Sequence, residues 1–326
     1  MKYDFITIGG ATEDITFYTD EGAVIKNKKD ILRQSLIAFE RGSKIYIDKS
    51  FSSFGGGAAN SAVSFSRLGF RAGIMTSIGL DVRGKSIVNN FKNQKVDVSK
   101  IKKIKNRDSA FSFVLVGKDK ERITFSVRGA GDELQITNAD LRFLKNTKWI
   151  YISSLSGAWQ GVLRQIFSVS QKKIAWNPGS TQIKAGFDKI AKYLKKTTVL
   201  CLNKDEAIEL VISNKNYKNK DNRFLNNIRN LHKIINGYGS EIVLITNGKK
   251  GADVFDGECF YHQNIIKEKK RIDATGVGDA FNSSFVAGLE RYNGDIKKSM
   301  KIGLKNTASV IGQQGAQNGL LIKKNI

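Results

Sequence analysis

The stretch R-I-D-A-T-G-V-G-D-A-F-N-S-S-F-V-A-G, from Arg271 to Gly288, is the part of the sequence on which the interpretation of the fold rests. Its first half is a glycine turn, and its second half places Ala280, Phe281 and Phe285 at helical spacing. We therefore expect a turn that leads directly into the N-terminus of a helix. The free backbone N–H groups and the partial positive charge of such a helix start favour a bound anion.

A carboxylate, Asp279, belongs to this same turn and would lie beside the anion. The backbone of Gly276, Val277 and Gly278 would stabilise charge on a phosphate, and Asp279 would take the proton from a neighbouring hydroxyl. This combination is typical of phosphoryl transfer to an alcohol. The alternative is that Asp279 only caps the helix and that the glycines form an ordinary tight turn.

Length and composition exclude several classes of protein. The chain has 326 residues, of which 40% are hydrophobic, enough for one large α/β domain or a domain with an appendage. No run approaches the ~20 apolar residues of a membrane span. Asp4 interrupts the N-terminal apolar run early, which favours a strand over a signal peptide. Cys201 and Cys259 are expected to be buried free thiols, so we predict a cytoplasmic protein without a membrane partner.

The net charge of +24 could indicate a nucleic-acid partner. However, the lysines are scattered among Asn and Ile residues, and no basic helix with regular aromatic residues is present in the sequence. We interpret the charge as a compositional bias and expect no nucleic-acid partner. A positive potential would still help to attract a nucleotide.

A second glycine-rich motif, Gly55-Gly56-Gly57-Ala58-Ala59-Asn60, opens a helix that ends near Gly69. Small residues allow a ligand close to the backbone, and the Asn60 amide can both donate to and accept from a diol. Gly55, Gly56 and Asn60 are therefore candidate substrate contacts. The alternative is tight packing at an ordinary helix start.

The stretch D-A-T-G-V-G-D-A-F closely resembles the D-T-x-G-A-G-D-x-F signature of the PfkB (ribokinase-like) carbohydrate kinase family. The N-terminal motif is similar to the family's G-G-x-x-x-N-x-A followed by R-L-G, through Asn60, Ala62, Arg67, Leu68 and Gly69. The resemblance extends over essentially the whole chain. It implies transfer of the ATP γ-phosphate to a primary hydroxyl of a sugar, with Asp279 as base. A nucleoside (adenosine-like) kinase of the same fold and a non-catalytic sugar-binding relative are the alternatives.

The same resemblance implies further residues on the acceptor and cation sides. Asp14, four residues after Gly10, would bind sugar hydroxyls together with Gly55, Gly56 and Asn60. Asp273 and Thr275 match positions that bind a monovalent cation, usually K⁺, in many relatives.

On the nucleotide side, an N-x-x-E element supplies Asn203 and Glu206, which would organise Mg²⁺ and phosphate mostly through water. A T-x-G-x-x-G loop, formed by Thr246, Gly248 and Gly251, would line the phosphates of ATP. Asn306, in the helix before the Gly315-Ala316 pair, would also contact the nucleotide. For Glu206, a simple preference of acids for a helix N-terminus is the alternative.

Two departures from ribokinases leave the acceptor open. Those enzymes tend to carry Lys where this chain has Gly57, and often a carboxylate where it has Ser153 and Ser154.

The strand–helix–strand pattern after Trp149 predicts a doubly wound, mostly parallel sheet flanked by helices. Alternating segments predict a small antiparallel β lid from residues 15–18, 44–48, 50–54, 109–116 and 122–127, with a turn at 117–120 and a short helix or loop over 29–39. We assign residues 1–14, 55–106 and 128–326 to a core α/β domain that binds nucleotide and substrate, and 15–54 and 107–127 to the lid. The lid would exclude water, and its exposed edges could pair two subunits into a homodimer.

Overall fold

The computed structural model describes residues 3–26, 35–117, 122–169, 172–268 and 270–326. Within them the strands are β1 (Tyr3–Ile8), β2 (Thr12–Tyr18), β3 (Ala23–Lys26), β4 (Ser35–Ala38), β5 (Lys49–Gly55), β6 (Ala72–Met75), β7 (Ser77–Gly79), β8 (Lys102–Ile104), β9 (Phe111–Val116), β10 (Arg122–Val127), β11 (Thr147–Ile152), β12 (Lys173–Trp176), β13 (Val199–Asn203), β14 (Ile242–Thr246), β15 (Ala252–Phe255) and β16 (Phe260–Gln263). The helices are α1 (Gly57–Arg67), α2 (Val82–Asn93), α3 (Asn138–Leu144), α4 (Trp159–Ile166), α5 (Ser180–Lys184), α6 (Phe187–Leu194), α7 (Lys204–Ile212), α8 (Asn222–Asn226), α9 (Ile228–Asn236), α10 (Val277–Arg291) and α11 (Ile296–Val310).

The main sheet has eight strands in the order β16-β15-β14-β13-β12-β11-β1-β6. The six strands from β14 to β6 are parallel, and β15 and β16 add antiparallel pairings at one edge. The predicted doubly wound, mostly parallel sheet is therefore confirmed.

Helices cover both faces of this sheet because its central strands are apolar on both sides. In β11, Ile150 and Ile152 point into a core shared with α3 to α9, whereas Trp149 and Tyr151 point to the opposite face. That second face is covered by α1, α10 and α11, and Phe285 of α10 lies at its centre without solvent exposure. The packing of α10 on the sheet holds the glycine turn at a defined position.

The small sheet has the strand order β10-β9-β2-β5. It is antiparallel as predicted, except that β2 and β9 run parallel. Residues 44–48 do not form the predicted strand, because Thr19 and Glu21 side chains bind the carbonyl and N–H of Tyr46 at 2.8 and 3.1 Å. β4 lies within residues 29–39, the segment predicted as a short helix or loop, and it pairs with β3. Residues 29–34 and 118–120 lie outside the described residues.

Cys201 is buried and Cys259 is exposed, and both are free. The prediction of two buried thiols is thus wrong for Cys259, which lies in the turn between β15 and β16. There the Asp256 carboxylate accepts the Cys259 N–H at 2.7 Å and holds the turn at the surface. In the described part of the chain, no helix has both the length and the apolar character needed to cross a bilayer.

Candidate active site

The turn before α10 leaves the start of the helix without a side-chain cap. Gly276 has φ 73°, and a Cβ there would lie 2.4 Å from the Ala316 Cβ, so only glycine fits. No side chain caps this end of the helix, and the space beside Gly278 is open. The first N–H groups of α10 are therefore available to a ligand.

Asp279 is the third residue of α10, and its carboxylate is held by a residue of another helix. Its Oδ2 accepts a 2.8 Å hydrogen bond from the Asn60 amide, which comes from α1. Burial raises the pKa of Asp279, the Asn60 bond opposes that shift, and the charge of Asp14 adds to it. The side chain is thus positioned by a second element of the fold and does not serve as the N-cap of α10.

Asp14 approaches from the small sheet, on β2. Thr12 donates to its Oδ1 at 3.0 Å, and a Cβ at Gly55 would lie 2.0 Å from its Oδ2. Burial raises the pKa of Asp14, and the hydroxyls of Ser112 and Thr12 partly offset this. The glycine at position 55 is what lets this carboxylate lie against the entrance to α1.

Gly56 forms the bend into α1 with φ 93°, and a Cβ there would lie 2.5 Å from the Gly10 carbonyl oxygen. This close approach joins the end of β1 to the start of α1. The structure therefore brings the predicted acceptor residues Asp14, Gly55, Gly56 and Asn60 to the Asp279 side of the fold.

Gly57, the first residue of α1, lies close to both Ser153 and Asp279. A Cβ at this position would be 2.5 Å from Ser153 Oγ and 3.3 Å from Asp279 Oδ1. Ser153 is 1% exposed, and its hydroxyl has no partner among the described residues. The missing side chain at position 57 thus lets Ser153 and the Asp279 carboxylate both lie against the first turn of α1.

The predicted nucleotide residues lie at the carboxyl ends of β13 and β14, where Asn203 and Thr246 are paired in register. Asn203 and Glu206 form a reciprocal capping box at the start of α7, with bonds of 2.9 and 2.8 Å. Burial raises the pKa of Glu206, and the charge of Asp279 contributes to the shift. Glu206 therefore caps α7 and interacts electrostatically with Asp279.

The turn after β14 exposes two positive charges. Gly248 and Gly251 both have positive φ, and the short helical turn between them carries Lys249 and Lys250. A Cβ at Gly251 would lie 2.0 Å from the Gln263 carbonyl oxygen. The exposed lysines suit a polyphosphate.

Asp273 links two loops next to the glycine turn. Its Oδ1 accepts the N–H and hydroxyl of Thr275 at 2.8 and 2.7 Å, and its Oδ2 accepts the Gly315 N–H at 2.9 Å. These bonds fix the backbone that leads into Gly276.

Asn306 occupies a different place from the other predicted residues. It is fully buried, donates to Ser284 of α10 at 2.6 Å and accepts the Leu321 N–H at 2.8 Å. Both ends of its amide are occupied by the protein interior, so the structure does not bring it to the cluster around Asp279.

The segment Gln314–Gln317 is the part of the site that the sequence interpretation missed. Its four successive residues contact, in order, Tyr18 of the small sheet, Asp273, Gly276 and Asn60. The Gly315-Ala316 pair was visible in the sequence, but the two glutamines carry no local signal. Among the described residues, no three His, Cys, Asp or Glu side chains are grouped as a metal site.

The family profile described as pfkB family carbohydrate kinase matches residues 30–323 of the chain. The chain is 26% identical over 306 residues to a 5-dehydro-2-deoxygluconokinase of Clostridium botulinum, covering 85% of this chain and 84% of that protein. It is 25% identical over 332 residues to an ATP-dependent 6-phosphofructokinase of Thermoanaerobacterium thermosaccharolyticum, covering 97% and 90%.

Solved structures agree on the fold. The nucleoside kinase of Methanocaldococcus jannaschii superposes with a TM-score of 0.79 at 22% identity, over 99% of this chain and 97% of that one. Arabidopsis thaliana ribokinase, solved with ribose and ATP, gives a TM-score of 0.80 at 17% identity over the same shares. The family match spans nearly the entire sequence and the architecture is the ribokinase fold, and so the chain belongs to the pfkB family of carbohydrate kinases.

Proposed function

We propose that this protein transfers the γ-phosphate of ATP to a primary hydroxyl of a sugar, with Asp279 as general base. The observation that carries the proposal is the uncapped start of α10, which places free N–H groups beside a carboxylate held by Asn60. Phosphoryl transfer needs little more from a protein than this charge stabilisation and positioning.

Asp279 performs the proton transfer through its Oδ1, because Oδ2 is engaged by Asn60. The acceptor hydroxyl would give its proton to Oδ1 as its oxygen bonds to the γ-phosphorus. The bond from that phosphorus to the β,γ-bridging oxygen breaks, and ADP leaves with the electron pair. The backbone of residues 276–278 stabilises charge on the phosphoryl oxygens throughout. Asp279 then releases its proton to solvent.

The nucleotide fits the opposite side of the turn. Thr246, Gly248 and Gly251 line it, and Lys249 supplies positive charge. Glu206 would reach Mg²⁺ through water, because its carboxylate already accepts the Asn203 N–H. When bound, Mg²⁺ neutralises charge on the phosphate oxygens.

For the monovalent cation, we propose a K⁺ site beside Asp273 and Thr275. The oxygen donors of both residues suit a hard cation, and they lie on the backbone immediately before Gly276. A cation there would influence the backbone conformation of residues 276–278.

A sugar is the acceptor that we favour, because two of the similar proteins are named as kinases of sugar derivatives. A nucleoside is the second candidate, supported by the M. jannaschii nucleoside kinase, which matches in both sequence and structure. We also propose a cytoplasmic location, where ATP is available and Cys201 and Cys259 remain free.

The test is ADP release from ATP·Mg²⁺ against a panel of pentoses, hexoses, sugar acids, sugar phosphates and nucleosides, with and without K⁺. Asp279→Asn should lower kcat by about 10²–10⁴-fold and leave the Kd for ATP nearly unchanged. Asp188→Asn is the matched control, because Asp188 is an exposed acid in the first turn of α6. Near wild-type kcat in Asp279→Asn would refute the proposal, and turnover with nucleosides alone would select the second candidate.

The lid boundaries predicted above suggest a homodimer through the small sheet and the neighbouring β3–β4 hairpin. Large apolar side chains there are 44–55% exposed: Val24, Ile25, Leu36, Phe125 and Val127. A second copy would bury them. Light scattering of the intact protein should report a dimer that Phe125→Glu dissociates, and a wild-type monomer at micromolar concentration would refute this.

A further inference from the structure

A chain of three side-chain amides ends on the Asp279 carboxylate. Asn90 of α2 donates to Gln317 Oε1 at 3.0 Å, Gln317 donates to Asn60 Oδ1 at 3.1 Å, and Asn60 donates to Asp279 Oδ2 at 2.8 Å. Asn60 and Gln317 are only 4% and 6% exposed, so water competes little for these bonds. The backbone of Gln317 is itself anchored, because Arg67 donates to its carbonyl at 2.7 Å.

The carboxylate dictates the direction of all three bonds. An ionised Asp279 only accepts, so the Asn60 NH₂ must face it and the Asn60 oxygen must face Gln317. Gln317 then presents its own NH₂ to Asn60 and its oxygen to Asn90. If Gln317 could not donate, the Asn60 oxygen would lose its hydrogen-bond partner. The contact that favours this orientation of the Asn60 amide over the flipped one would then be weaker.

We propose that Gln317, supported by Asn90, is a positioning residue for the general base, because it orients the Asn60 amide so that its NH₂ always faces Asp279. This inference rests on the proposed function of Asp279. According to this inference, the segment Gln314–Gln317 influences the orientation and proton affinity of Asp279 without contacting either reacting atom.

Three other titratable groups interact electrostatically with Asp279. They are Asp14 of β2, Tyr151 of β11 and Glu206 of α7. The Asn60 hydrogen bond is the stabilising contact that opposes the burial of the charged form and the negative charge of Asp14. Loosening it should make the carboxylate bind a proton more readily and should leave the other three groups in place.

The experiment measures the pKa of Asp279 in the free protein by ¹³C NMR of labelled aspartate carboxyls, without ATP or acceptor. The Asp279 signal is assigned by its absence in Asp279→Asn. Gln317→Met keeps the chain length and removes the donor without adding charge. We expect the proton affinity of Asp279 to rise about 2- to 10-fold, the value of one neutral hydrogen bond. Gln317→Glu, which adds a charge and can only accept when ionised, should raise it more than 10-fold.

Gln313 provides the matched control, since it directly precedes the segment Gln314–Gln317 and is exposed. Gln313→Met and Gln313→Glu should change the proton affinity of Asp279 less than 2-fold. If thermal unfolding shows that neither Gln317 variant folds, Asn90→Leu is used instead, because Asn90 is the half-buried end of the chain of amides. This variant should also raise the proton affinity of Asp279. An unshifted Asp279 in a folded Gln317→Met, or in Asn90→Leu where that variant is needed, overturns the inference.

Kinetics separate this inference from the proposed function. With an acceptor found in the panel above, Gln317→Met should lower kcat most at acid pH, lose less as the pH rises, and leave the KM for ATP unchanged. An active Asp279→Asn refutes the proposed function. An inactive Asp279→Asn combined with a pH-independent kcat loss in Gln317→Met refutes only the positioning role.

Discussion

Gly57→Ala is the substitution that tests the close packing beside Asp279 most directly. The new methyl carbon would lie 2.5 Å from Ser153 Oγ and 3.1 Å from Ser153 Cβ, well inside normal contact distance. Ser153 has little freedom to move, because it is buried and lies beside Gly9, where a Cβ would be 3.1 Å from the same Oγ. Overpacking of this kind costs about 1–3 kcal/mol of the free energy of unfolding.

The same methyl would lie 3.3 Å from Asp279 Oδ1, the oxygen proposed to take the proton. It would therefore crowd the approach of the acceptor hydroxyl to that oxygen. We therefore expect the KM for the acceptor to rise at least 10-fold, and the Kd for ATP, which binds on the other side of the turn, to stay within 2-fold.

Ser153→Ala separates these two effects. It removes a hydroxyl that lacks a partner among the described residues, so alone it should change stability by less than about 1 kcal/mol. In the double variant the 2.5 Å clash with Oγ is relieved and only the 3.1 Å contact with Cβ remains. A cycle of chemical denaturation should then show a coupling of about 1–2 kcal/mol between positions 57 and 153. The raised acceptor KM should persist, because the methyl still faces Asp279. Additive stabilities, or an acceptor KM that returns to wild type, would refute this reasoning.

Gly288→Ala should lower the free energy of unfolding by about 1–3 kcal/mol, because its Cβ would lie 2.6 Å from a Cα of α11. Gly161→Ala, on an open helix face, should instead raise the free energy of unfolding by up to about 1 kcal/mol. Urea denaturation measures both changes. Arg67→Ala should cost about 2–4 kcal/mol in the same assay, since its guanidinium holds the carbonyls of three C-terminal residues; a loss below 1 kcal/mol would contradict this. Burial raises the pKa of Asp279, so its base form is present above that pKa and kcat should fall as the pH drops through it, at a higher pH than the ordinary value of about 3.9. A pH–rate profile that is flat down to pH 4 would refute a role for this carboxylate as base.

Local residue patterns were sufficient for the glycine turn, the buried strands and the alternation of strands and helices. Each depends on interactions within a few residues: positive φ at Gly276, the period of two in β11, and the helical spacing of Phe281 and Phe285. They also predicted the small sheet, because its strands alternate polar and apolar side chains. Residues 44–48 were predicted by the same alternation but form no strand. The side chains of Thr19 and Glu21 bind the carbonyl and N–H of Tyr46, which a neighbouring strand would otherwise bind.

By itself, then, the sequence determined the family and the residue types of the candidate site, because both can be recognised from short motifs of consecutive residues. Only the tertiary structure decided which partners those residues have. Asn60 and Asp279 are 219 positions apart, and Gln317 is 257 positions from Asn60, so no pattern along the chain relates them. The packing of α1 and α10 on one face of the sheet, together with the C-terminal segment that also contacts the small sheet, places these amides within hydrogen-bond distance. The same packing buried both ends of the Asn306 amide, which a motif alone had assigned to the nucleotide.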